Sequence, residues 1–169
     1  MIVPLWLIGM MGSGKSTVGE VLSSRLGVEF VDTDLMVEEQ TGRTIPEIWE
    51  EEGEESFRLR EAAAVAETAR RDLAIVATGG GVVLHEPSVE VMRSSGVVVW
   101  LDAEPATLAA RIGFGRGRPL LDSANRVERL AELAADRGPD YAAASHHRVV
   151  TDDRTVTEVV DELEVLWTA

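Results

Sequence analysis

Gly9-Met10-Met11-Gly12-Ser13-Gly14-Lys15-Ser16 is the stretch on which the fold turns. It has the G-x-x-x-x-G-K-S spacing of a phosphate loop. Its glycines let successive backbone N–H groups converge on phosphate oxygens, and the N-terminus of a following helix favours the same negative charge. In such a loop the lysine neutralises the β- and γ-phosphates and the serine ligates Mg²⁺. A nucleotide is therefore expected on Gly12, Ser13, Gly14, Lys15, Ser16 and Thr17, with Ser16 holding the metal.

The flanks supply the context that this reading needs. Val3–Ile8 is apolar on consecutive positions, as a strand buried on both faces should be, and Ser16–Leu26 has a helical pattern. Further on, Glu29–Val31, Ala74–Ala77, Val97–Leu101 and Arg148–Val150 read as short strands. Between them Ile45–Glu52, Ser56–Arg71, Ala103–Ile112 and Asn125–Ala143 read as helices. Val156, Val159, Val160, Leu163 and Leu166 repeat at helical spacing as a core stripe, with Asp152, Asp153 and Thr155 offering cap oxygens ahead of it. Alternating strands and helices predict an α/β fold of the P-loop NTPase type: a five-stranded parallel sheet with helices on both faces. With no repeat and no linker, residues 1–169 are expected to form a single domain. Its interruptions are a helical insertion over 35–71, large enough for a substrate cap, and a loop over 112–122 with three glycines and a proline.

Composition narrows the function classes. Sixteen basic against 30 acidic residues give a formal charge of −14, which argues against a protein whose main business is holding a nucleic-acid backbone. Zero cysteines exclude disulfides, a thiolate nucleophile and Cys-ligated metals. The apolar opening is too short for a membrane span and lacks a basic leader, so a cytoplasmic protein with no membrane partner is expected. Lys15 is the only lysine, which leaves no Asn-Lys-x-Asp motif for reading guanine and sets aside a GTPase switch.

Asp32 and Asp34 end the second strand in Val31-Asp32-Thr33-Asp34. If the segment stays extended, both carboxylates point to one side. One could hold a metal-bound water while the other orients or deprotonates an acceptor hydroxyl; equally, either could cap the following helix. Asp102, ending another apolar strand, competes for the metal role, although Glu104-Pro105 behind it reads as a strand-to-helix turn.

Taken in order, these segments resemble shikimate kinase nearly from end to end. The resemblance rests on the phosphate loop, the Asp-x-Asp, Glu54-Glu55-Ser56-Phe57-Arg58 with Glu61, Gly79-Gly80-Gly81, Arg118-Pro119-Leu120-Leu121, and Arg137 with Tyr141. It implies an ATP:shikimate phosphotransferase that acts on the 3-hydroxyl, a step of aromatic amino acid biosynthesis, with Mg²⁺ and ATP and as a monomer. It implies that Asp34 binds the acceptor hydroxyls and serves as base or orienting group. Arg58 and Arg137 would hold the carboxylate, and Gly79, Gly80 and Gly81 would line the acceptor, the last two through backbone N–H donors. Asp32 would reach Mg²⁺ through water, Arg118 would stabilise the transferring phosphoryl group, and Arg111 would lie over the adenine. Lys15, Asp34 and Arg118 are thus the catalytic candidates.

The chemistry of the residues agrees. Arginine forks give a small carboxylate paired, charge-assisted hydrogen bonds that a lysine cannot. Three glycines can clamp an anion or hydroxyl, though they can also be a tight turn. Pro105 to Leu121 contains no acidic residue, a local sign reversal that suits a lid carrying Arg111, Arg116 and Arg118 over phosphates; a plain basic surface loop has the same composition. Arg116 is not explained by the resemblance and could share the role of Arg118. Trp49 stands where an aromatic residue is common on the cap, and Gly138 is expected to loosen a turn presenting Arg137. The acidic run Glu50 to Glu55 reads as a solvated helix end, and the three histidines are assigned no chemistry. Two other readings stay open: a related kinase for gluconate or a nucleoside monophosphate, and a nucleotide-binding regulator without transfer activity.

Overall fold

A computed structural model describes residues 3–71, 74–113 and 125–168 of the chain. Strand β1 (Leu5–Ile8) runs through the phosphate loop into helix α1 (Lys15–Leu26). There follow β2 (Glu29–Asp32), α2 (Thr33–Thr41), α3 (Ile45–Thr68), β3 (Ala74–Ala77), a 3₁₀ turn over Val82–Leu84, and α4 (Glu86–Ser95). The remainder is β4 (Val97–Asp102), α5 (Pro105–Ile112), α6 (Arg126–Ala144), β5 (His147–Val150) and α7 (Val156–Thr168). All five strands pair in parallel, in the order β2-β3-β1-β4-β5.

β1 sits at the centre because all four of its side chains are apolar and fully buried. Their alternation divides the core. Leu5 and Leu7 face Val18 and Leu22 of α1 and Val160 and Leu163 of α7. Trp6 and Ile8 face the opposite layer, which includes Val65 of α3, Met92 of α4 and Leu130 of α6. The two ends of the described chain are tied together by the indole N–H of Trp167, which donates to the Val3 carbonyl at 2.7 Å. Among the described residues no helix is long and apolar enough to cross a membrane.

Strands are found where expected to within a residue or two, whereas two local expectations need correcting. Asp32 is the last extended residue (φ −109°, ψ 117°), and its carboxylate caps α2 by accepting from the amides of Asp34 and Leu35. The Asp-x-Asp is therefore a strand end plus a first helical turn, and the two carboxylates are not brought together by strand alternation. Gly138 and Pro139 lie inside α6, so Arg137 is presented by a continuous helix and not by a turn. The acidic run Glu50 to Glu55 is exposed, as expected, and part of it is also charge-paired. α3 kinks at Gly53 (φ 84°, ψ 172°), a backbone conformation open to glycine, and this breaks it where the sequence had suggested two helices. Around the kink Glu51 and Glu52 pair with Arg43, Glu52 also with Arg60, and Glu54 with Arg58.

Helix α4 was not expected at all. Its sequence is rich in serine and polar residues, and its start is marked only by Pro87 and by His85, whose Nδ1 accepts from the Ser88 amide. Among the candidate caps of α7, Thr155 does the capping, exchanging bonds with Glu158. Asp152 turns the other way and accepts from the Glu104 amide at the start of α5.

Candidate functional site

The phosphate loop leaves β1 with positive φ at Gly9, Gly12 and Gly14, the conformations that only glycine adopts without strain. Packing makes the same demand at Gly12, where a Cβ would lie 2.9 Å from the Leu108 carbonyl oxygen. Lys15 opens α1, and its ammonium donates to the carbonyls of Gly9 at 2.8 Å and Met10 at 2.9 Å. Next to it the Ser16 hydroxyl donates to Asp32 Oδ2 at 2.7 Å.

These groups form one end of a cavity of about 750 Å³ that is lined by residues of most of the described segments on which the sequence reading drew. Loop residues 12–17, Asp32 and Asp34, Arg58, the glycines 79–81, Arg111 and Arg137 all contribute to it. Arg118 and Arg116 lie outside the described residues, as does the candidate lid from 114 onwards. Asp102 is not part of this cavity: it is ion-paired with Arg148 at 2.5 Å, which removes it from the contest for the metal.

At the acceptor end two carboxylates meet over one glycine. A Cβ built on Gly79 would stand 2.4 Å from Glu61 Oε1 and 2.8 Å from Asp34 Oδ1. Both oxygens are buried and have no hydrogen-bond partner among the described residues. Glu61 uses its other oxygen on Arg58, at 3.0 Å. Burial pushes the Asp34 carboxyl up to about 7, the negative charges of Glu61 and Asp32 add to this, and Lys15 and Arg58 oppose it. Burial also raises Glu61, against the pull of Arg58 and Arg137.

The sign of the resulting pH effect follows. An acid whose carboxyl titrates higher in the folded chain than in the unfolded one binds its proton more tightly when folded. Asp34 thus costs stability as pH rises from its ordinary value of 3.8 through about 7, and the full cost is present above that window. Asp34→Asn is expected to raise the Tm of the ligand-free protein at pH 8 and to leave it unchanged below pH 3.8, read by calorimetry across pH. A Tm lowered at pH 8 would contradict the strained-carboxylate account.

Facing the carboxylates are the cations. Arg58 is held by Glu61 and by Glu54, at 3.1 Å, with its guanidinium 5.8 Å from the Trp49 ring centre and 5.3 Å from that of Phe57. A Cβ on Gly81 would collide with that guanidinium at 2.3 Å. Arg137 is only 6% exposed, and its Nη1 lies 3.6 Å from where a Gly80 Cβ would be. A Cβ at Gly79 or Gly81 would thus displace the ends of functional side chains, whereas one at Gly80 would make only ordinary contacts. A carboxylate and hydroxyls fit such a clamp of buried arginine forks and carboxylate acceptors.

At the phosphate-loop end Arg111 is fixed by Thr151, donating to its hydroxyl at 2.9 Å and its carbonyl at 2.8 Å. Thr151, Arg154, Thr155 and Val156 complete this wall of the cavity. The sequence reading missed them, along with the structural weight of Glu61. The segment has no motif, and its one signal was the helix-start pattern ahead of α7.

A model of the shikimate kinase family matches residues 11–166. A shikimate kinase from Symbiobacterium thermophilum is 51% identical over 160 residues, covering 93% of this chain and 91% of that protein. Among solved structures, a shikimate kinase from Acinetobacter baumannii in complex with shikimate superposes with a TM-score of 0.95 at 35% identity, covering 98% of this chain and 93% of that one. Another, from Bacteroides thetaiotaomicron, gives 0.90 at 28% identity, covering 99% of both.

Proposed function

From the premise that the chain belongs to the shikimate kinase family, we propose how its own residues divide the work of ATP-dependent shikimate phosphorylation. The observation that carries the reading is the single cavity whose ends differ in chemistry: phosphate-loop amides and Lys15 at one, buried arginines and orphaned carboxylate oxygens at the other. Residues 1–169 act as one domain, with 35–71 as the cap over the acceptor and 112–122 as the lid.

Lys15 moves its charge from the loop carbonyls to the β- and γ-phosphates. Arg58 and Arg137 take the shikimate carboxylate, and with the glycine triad they fix the ring so that the 3-hydroxyl meets Asp34. Asp34 orients that hydroxyl and accepts its proton as the oxygen attacks the γ-phosphorus in line. Arg111 packs on the adenine, and Arg118 from the lid neutralises charge on the transferring group.

The donor set suits Mg²⁺. Ser16 and Asp32 offer hard oxygens, and both Asp32 oxygens are already engaged, by Ser16 and by the α2 amides, which favours an outer-shell contact through water. When bound, the ion would neutralise phosphate charge. Among the described residues no cluster of three or more carboxylates and histidines offers another metal site.

A coupled assay of ADP release with shikimate, gluconate and nucleoside monophosphates tests the acceptor. Turnover is expected with shikimate, at least about 100-fold faster in kcat/KM than with the others, because a group of the wrong charge, size or placement would desolvate the polar side chains of the clamp without meeting them. Preferential turnover of gluconate or a nucleotide would overturn it.

A further inference from the structure

Tyr141 is the only tyrosine in the chain, and the division of labour above leaves it without a task. It lies on α6 four residues after Arg137, so the two share one helix face. Its hydroxyl donates to the Gly80 carbonyl at 2.5 Å, and the positive charge of Arg137 acts on the same phenol. The ring is 1% exposed and stacks on Trp100, with centroids 5.6 Å apart and planes 23° apart. Trp100 in turn carries the Arg148 guanidinium 4.7 Å from its ring centre. Burial pushes the phenol up to about 12, so it keeps its proton and remains a donor.

A carbonyl that accepts a strong hydrogen bond polarises its own peptide, and the N–H on the far side becomes a better donor. For Gly80 that N–H belongs to Gly81. With no Cβ at either residue, this peptide has more rotational freedom than an ordinary one. We propose that Tyr141 is the positioning residue of the acceptor's anion clamp: it locks the Gly80–Gly81 peptide and the Arg137 fork to one another through a single hydroxyl. This rests on the reading that Arg137 and the glycine triad hold the carboxylate.

Tyr141→Phe keeps the ring and its stacking and removes only the hydroxyl. KM for shikimate is expected to rise about 5- to 30-fold, with kcat, KM for ATP and Tm close to wild type. The ratio of variant to wild-type KM should shrink towards one with the methyl ester of shikimate, which has no anion to clamp. Replacing tyrosine globally by 3-fluorotyrosine labels residue 141 alone, and its ¹⁹F resonance should move on saturation with shikimate more than with the ester. An unchanged KM for shikimate, an equal rise for acid and ester, a parallel rise in KM for ATP with a lower Tm, or a silent ¹⁹F signal would each overturn the assignment. Wild-type assays separate the two readings: no turnover of shikimate counts against the acceptor, whereas normal turnover with an unaffected variant counts against Tyr141 alone.

Discussion

Asp34→Asn is expected to lower kcat by about 10²- to 10⁴-fold while ATP binding stays near wild type. The amide keeps the shape of the carboxylate, so the ring remains roughly in place, but it can neither accept the hydroxyl proton nor favour the alkoxide by charge. ATP binding survives because the nucleotide groups around Lys15, Arg111 and Thr151 form the other end of the cavity. The same change relieves repulsion with Glu61, so the variant should be more stable and far less active at pH 8. Titration calorimetry with a non-hydrolysable ATP analogue, beside steady-state turnover, checks both halves. Wild-type turnover by this variant would remove Asp34 from the reaction.

Gly79→Ala is the second large effect. Gly79 does not have positive φ, so the substitution brings no backbone strain, only a methyl where Glu61 Oε1 and Asp34 Oδ1 already stand at 2.4 and 2.8 Å from the new carbon. Both obstacles are the ends of side chains and can swing away. The fold should therefore survive, at a cost of about 1–3 kcal/mol, while the catalytic geometry is lost. Displacing Asp34 by the better part of an ångström is expected to reduce kcat/KM for shikimate by about 100-fold. Gly138→Ala is the control: nothing lies within 4 Å of its Cβ position, and alanine in this helix interior should stabilise by about 0.5–1 kcal/mol without a kinetic effect. Kinetics and thermal melts of the two variants test the contrast. A Gly79→Ala enzyme with wild-type kcat/KM would show that the two carboxylates need not be where they are.

What the sequence made legible, and what it left hidden, follows from how local each signal is. The phosphate loop was readable because four fixed positions and the flanking strand and helix all lie within two dozen residues. The strands were readable because a parallel sheet covered on both faces demands continuous apolar runs, as in Leu5–Ile8. The meeting of Asp34 with Glu61 was not, since it depends on α3 crossing back over the turn after β3. Their closeness is recorded only as a glycine at position 79. Thr151 was hidden for a similar reason: it matters through Arg111, 40 residues earlier in the chain. The Asp-x-Asp pointed to two residues that do line the cavity, but by a geometry the chain does not adopt, because a cap at Asp32 ended the strand two residues before the alternation argument needed.

In the proposed mechanism Arg58, Arg137 and the glycine triad hold the acceptor so that one hydroxyl, and no other, meets Asp34 and the γ-phosphate. The regiochemistry of the product measures this directly. Phosphorus–proton correlation NMR of the wild-type reaction with ATP and shikimate is predicted to show a single phosphate ester, on the 3-oxygen. A mixture of esters, a phosphate on another hydroxyl, or ADP and inorganic phosphate with no ester would contradict it.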